Sequence, residues 1–137
     1  MTLVFTAAVC DLLHRGHLNL LYKMRARGDL TLVILHDEKS TYLNKNRFPV
    51  ESLERRASNL IDTGLVDIVM FTRSRAPTLE FEQVIRKYRD WDLVFMRGDD
   101  WKDFPAHEVI ARHGIPVEFV EYTEGVSSTE IRSEISA

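Results

Sequence analysis

The sequence predicts an α/β fold organised around a five-stranded parallel sheet, and three observations carry that expectation. Short apolar runs of strand length alternate with longer amphipathic stretches of helical period along the chain. Polar clusters bearing glycine follow the first, fourth and fifth runs, at the end of the strands where open parallel sheets hold their ligands. Glycines 28, 64 and 114 close three of the helical stretches, where a left-handed C-cap is expected.

Taken in order, residues 3–9 form the first strand candidate, and residues 17–27 read as a helix ended by Gly28. Residues 30–36 are the second apolar run, followed from Asp37 to Glu51 by a polar, basic loop without periodicity that ends in Phe48-Pro49. Such a loop suits closure over a ligand. Helical patterns at 52–63, 78–89 and 106–113 then alternate with strand-like runs at 67–71, 93–96 and 117–122. A last helix is expected from about Ser127 toward Ser136, because Ser127-Ser128-Thr129-Glu130 has the spacing of a capping box. Two stripes, Leu18, Leu21, Tyr22 and Met24, and Leu79, Val84 and Ile85, read as core-facing. The whole suggests a Rossmann-like three-layer α/β/α arrangement.

At 137 residues the chain has room for one domain and one core, so a second catalytic domain is not expected. A net charge of −3 argues against a general nucleic-acid binder. Positive charge is nevertheless concentrated at Lys39, Lys45, Arg47, Arg55 and Arg56, which suits a small polyanion. The lone Cys10 excludes an internal disulfide and a thiolate zinc framework, and it reads as a small buried apolar residue. The first apolar run is too short to span a membrane and carries no cleavage signal. The expectation is therefore a cytoplasmic protein without a membrane partner.

His14-Arg15-Gly16-His17 falls at the turn between the first strand and first helix. Helix N-terminal N–H groups favour a phosphate there, glycine permits close approach, and two imidazoles supply donors to charge developing on a transferring phosphoryl group. Of the other histidines, His36 stands at a strand end, whereas His107 and His113 read as surface or structural residues. Asp99-Asp100 reads as a turn rather than a metal pair.

Asp11-Leu12-Leu13-His14-Arg15-Gly16-His17, Gly28-Asp29, Asp37-Glu38, Gly98-Asp99-Asp100-Trp101 and Thr123-Glu124-Gly125-Val126-Ser127-Ser128-Thr129 occur in that order. With these motifs the chain resembles the small cytidylyltransferases of the HxGH nucleotidyltransferase superfamily, above all the glycerol-3-phosphate cytidylyltransferases. The resemblance covers nearly the whole chain and implies a single nucleotidyltransferase domain over residues 1–137. It implies that a phosphate on a small acceptor, such as glycerol 3-phosphate, attacks the α-phosphorus of CTP and releases pyrophosphate, with Mg²⁺ screening the triphosphate and no metal ligands on the protein. Adenylyl transfer from ATP and a regulatory nucleotide-binding module are the alternatives. By position His14, His17 and Lys45 match the catalytic residues, and Arg56 matches an arginine expected at the substrate phosphate. Val9, Cys10, Asp11, Gly16, Asp100, Thr123, Val126, Ser127 and Ser128 match the nucleotide side, Asp11 also ordering the turn. The family's usual Gly-Thr-Phe is here Ala8-Val9-Cys10, its arginine before Thr-Glu-Gly is Tyr122, and a second arginine position falls at Gly64. The resemblance also implies a homodimer.

Overall fold

A computed structural model describes residues 1–99 and 103–121. Asp100, Trp101, Tyr122, Thr123, Val126, Ser127 and Ser128, and the helix expected over 127–136, lie outside these described residues.

The described chain runs β1 (Thr2–Ala8), α1 (Arg15–Arg27), β2 (Leu30–His36), α2 (Glu38–Lys45), α3 (Leu53–Asp62), β3 (Ile68–Thr72), α4 (Thr78–Lys87), β4 (Asp92–Gly98), α5 (His107–Arg112) and β5 (Val117–Val120). The five strands pair in parallel in the order β3-β2-β1-β4-β5. Central strands of such a sheet are covered on both faces and must be apolar throughout; residues 3–7 of β1 and 31–36 of β2 are all buried. On one face, Leu3, Phe5, Ile34 and Phe95 pack with Phe81 and Val84 of α4 and Val109 and Ile110 of α5. On the other, Val4, Val33, Leu35 and Val94 pack with Leu21 and Met24 of α1 and Leu60 of α3. The result is the Rossmann-like three-layer sandwich. Its topological switch point falls between β1 and β4, at whose carboxyl ends ligands bind in such folds.

Three expectations are corrected. The segment after β2 is not a loop throughout: residues 38–45 are helical, with the Asp37 carboxylate accepting from Ser40 N at 2.9 Å and Asn46 closing the helix at φ 57°. Its inward residues, Ser40 and Thr41, are polar and buried and bond to strand-end carbonyls, so it lacks the apolar period by which a helix is usually read. Gly64 and Gly114 have the left-handed conformation (φ 73° and 67°), but Gly28 is extended at φ −141°. Gly28 serves close approach instead, since a Cβ there would lie 2.6 Å from Val4 Cγ2. Finally, Tyr22 and Leu79 face solvent. They sit about 100° from Leu21 and about 200° from Phe81 around their helices, by the 3.6-residue turn.

Candidate functional site

The turn from β1 to α1 brings the two motif histidines together through the backbone. His14 is the N-cap of α1, and its Nδ1 accepts from Gly16 N at 3.0 Å. His17 reaches back, its Nδ1 accepting from His14 N at 3.2 Å. This is a reciprocal capping box built from imidazoles in place of the usual Ser and Glu. Because each Nδ1 is an acceptor, a neutral ring must carry its proton on Nε2. The rings stack with centroids 3.9 Å apart and 28° between planes, so the cap yields two adjacent Nε2–H donors at the head of a helix.

Neutrality is enforced at His17. Burial, then the neighbouring His14, with Lys45 adding to both against the pull of Asp11, takes its pKa down to about 4. His36, at the end of β2, is likewise held at about 4 by burial and by Arg97, Lys45 and Arg56, against Asp37. Lys45 is exposed in the last turn of α2, and its charge acts on both His17 and His36. Helix α2 therefore brings the Lys45 charge within electrostatic reach of the histidine turn.

A second layer fixes that turn. Asp11, 1% exposed, accepts from Val50 N at 2.8 Å and Glu51 N at 3.0 Å. Glu51 answers by accepting from Leu12 N at 2.8 Å and from Asn59 Nδ2 at 3.1 Å. Between these bonds Cys10 and Leu12 take left-handed φ values of 53° and 54°, a cost that the surrounding bonds must hold in place. Arg56 is fully buried on α3. Its Nη1 donates to Val9 O at 2.9 Å and His36 O at 2.6 Å, and its Nε donates to Glu51 O at 3.1 Å. Its Nη2 lies 3.5 Å from the Glu38 carboxylate. Arg56 was expected at the substrate phosphate; here its donors go to main-chain carbonyls, and together with Asp11 it ties the ends of β1 and β2 to the segment before α3. Neither capping by histidine nor an arginine clamp on carbonyls has a sequence signature, and both were missed for that reason.

The model for the family described as cytidylyltransferase-like matches residues 7–134. The chain belongs to this family. It is 31% identical over 140 residues to the glycerol-3-phosphate cytidylyltransferase of Bacillus subtilis strain 168, covering 99% of this chain and 98% of that protein. It is 30% identical over 136 residues to the bifunctional protein HldE of Pseudomonas entomophila strain L48, covering 98% of this chain but 28% of that protein. The chain thus spans less than a third of the HldE proteins it matches. Among solved structures, the lipopolysaccharide core biosynthesis protein of Thermoplasma volcanium GSS1 superposes with a TM-score of 0.65 at 24% identity, covering 90% of this chain and 97% of that one. That likeness concerns the fold.

Other expected residues of this cytidylyltransferase-like chain are placed as follows. Gly16 lies in the first turn of α1 beside the histidines. Val9 is half-buried and lends its carbonyl to Arg56. Cys10 is buried, and desolvation pushes its thiol pKa up to about 12, consistent with an inert apolar residue. Gly64, at the expected second arginine, is the left-handed residue after α3, where an L side chain is strained. His113 pairs with Glu82 on the surface, as does His107 with Phe104 O. No helix among the described residues is long and apolar enough to cross a membrane.

No group of three or more His, Cys, Asp or Glu side chains among the described residues could hold a metal, and the carboxylates behind the turn are spent on N–H groups. Hard cations such as Mg²⁺ are commonly held by substrate phosphates.

The two depressed histidines set a pH dependence of stability. Between their ordinary value of 6.5 and about 4, the unfolded chain takes up protons that the folded chain refuses. Their contribution is therefore complete above pH 6.5 and drains away as pH falls toward 4, by at most ~3 kcal/mol each. Urea denaturation at pH 7.5, 5.5 and 4.5 should show this decline. A His17→Asn variant with an equally steep decline would remove His17 from the explanation.

Proposed function

We propose that this chain transfers a cytidylyl group from CTP to a small phosphorylated alcohol, with glycerol 3-phosphate the first candidate. A phosphate oxygen of the acceptor bonds to the α-phosphorus of CTP as the bond to pyrophosphate breaks, so no covalent enzyme intermediate is required. The observation that carries the reading is the reciprocal cap, in which the Nδ1 atoms of His14 and His17 take the backbone N–H groups of the turn and the two rings stack at a helix N-terminus. Donors already aligned there stabilise charge that develops on the transferring group without reorganising during the reaction. Lys45 adds a positive charge that the neutral His17 ring lacks, and Mg²⁺ enters as part of the Mg·CTP substrate. The choice of CTP and of a polyol phosphate rests on likeness to the Bacillus relative of matching length. By the same reading Asp100, Thr123, Val126, Ser127 and Ser128 are assigned to nucleotide binding, and the protein works as a cytoplasmic homodimer of single-domain subunits.

Pyrophosphate release with CTP and ATP against a panel of phosphorylated alcohols and sugars tests the proposal. Release with CTP and glycerol 3-phosphate is expected; release with ATP alone would replace the nucleotide, and no release would favour a binding module. Lys45→Ala should weaken triphosphate binding by ~10–100-fold, the worth of one charge-assisted hydrogen bond. Calorimetric titration with and without Mg²⁺ checks this, and unchanged affinity would return Lys45 to a solvated helix face.

A further inference from the structure

His36 is buried, 8% exposed, and its ring is fixed from behind. Nδ1 lies 3.1 Å from Ser40 Oγ, which is also 3.1 Å from Thr72 O and 3.4 Å from Asp37 O. Ser40 Oγ carries one proton and faces two carbonyls that only accept, a geometry that suits the hydroxyl donating to Thr72 O while Nδ1–H of His36 donates to Oγ. Nε2 is then left with a bare lone pair. It makes no hydrogen bond with a described residue, nor is it among the sealed, unpartnered polar atoms. The backbone beneath is equally fixed, because His36 O accepts from Arg56 Nη1.

The surroundings of that lone pair are cationic. By strand alternation His36 shares a sheet face with Leu32, Ile34 and, across β1, Phe95 and Arg97. Arg97 stacks 5.1 Å over Phe104 on that face. The charge of Lys45 acts on both His36 and His17. A phosphate here has cations to meet, but a bare imidazole nitrogen repels it. What a lone pair needs is an O–H or N–H from the ligand. The switch point assigns the nucleotide to the crevice between β1 and β4. His36, on β2, stands on the other side of β1 from that crevice, where room is left for the second substrate.

We propose that His36 Nε2 accepts a hydrogen bond from a free hydroxyl of the phosphorylated acceptor and so selects hydroxylated over plain alkyl phosphates. The inference rests on the acceptor class given under Proposed function. It does not depend on which nucleotide is used. A buried acceptor left unpaired by a ligand lacking the hydroxyl discriminates strongly against that ligand.

The test compares glycerol 3-phosphate with propyl phosphate by equilibrium titration and, where turnover is found, by kcat/KM. The parent is expected to prefer glycerol 3-phosphate by ~10-fold or more, in line with a neutral hydrogen bond in a buried site. His36→Asn keeps a side-chain donor for Ser40 and loses the outward acceptor, so it should erase that preference while leaving CTP affinity within twofold. His36→Gln places an oxygen near the Nε2 position and should restore part of it. A His36→Asn protein that still prefers glycerol 3-phosphate, or that loses both phosphates equally, overturns the role of His36. A parent with no preference overturns it too. Failure of the functional reading is seen separately, as absence of pyrophosphate release from the parent with every acceptor tried.

Discussion

His17→Ala is expected to lower turnover by ~10²–10³-fold in a protein that still folds, the usual cost of removing one preorganised donor from a transition state. The ring of His17 contributes one of two Nε2–H groups, and its loss also frees the His14 N–H that it caps. His14→Asn sharpens the test. Asparagine is a good N-cap and keeps an acceptor for the first-turn N–H groups, yet it is too short to replace Nε2. That variant should therefore hold its melting temperature and lose turnover to a similar degree. Near-parent turnover in folded His17→Ala would take the stacked pair out of the chemistry. An equal loss of stability and activity in His14→Asn would reduce the cap to a structural device.

The largest effect on stability is expected at Arg56. Truncation to alanine leaves the carbonyls of Val9 and Glu51 without the Arg56 donor and His36 O with only the 3.4 Å bond from Thr41 Oγ1, at a cost of ~3–5 kcal/mol. That is a large share of the ~5–15 kcal/mol by which single domains are stable. Lysine should recover only part, because one ammonium cannot reproduce a planar fork reaching three carbonyls. Urea unfolding gives the answer as a lower midpoint with little change in slope. A shift worth less than ~1 kcal/mol would mean that the three carbonyls find water and that the clamp is peripheral.

Much of the architecture was legible because it is written in apolar periodicity. The strand over 30–36 matches β2 residue for residue, and the helices around Leu21, Leu60, Phe81 and Ile110 lie where their apolar residues demanded. What escaped reading is polar. Helix α2 buries Ser40 and Thr41 and bonds them to strand-end carbonyls, a solution that carries no hydrophobic signal. The first helix begins two residues earlier than its apolar pattern because a histidine caps it. At the site, the motif placed His14, Gly16 and His17 together. The partners of Asp11 and Arg56 were invisible because they are main-chain atoms, contributed by position in the fold and by no particular side chain.

Those main-chain partners also bear on the order in which the molecule takes shape. Asp11 closes on residues 39 and 40 positions along the chain, and Arg56 on one 47 positions back. Contacts of such separation form only after the entropy of closing the intervening loop has been met. The long-range bonds that brace the histidine turn require β1, β2 and α3 to be together, although its motif is complete within the first 17 residues. A nascent or partly unfolded chain thus displays the motif without the bonds that brace it.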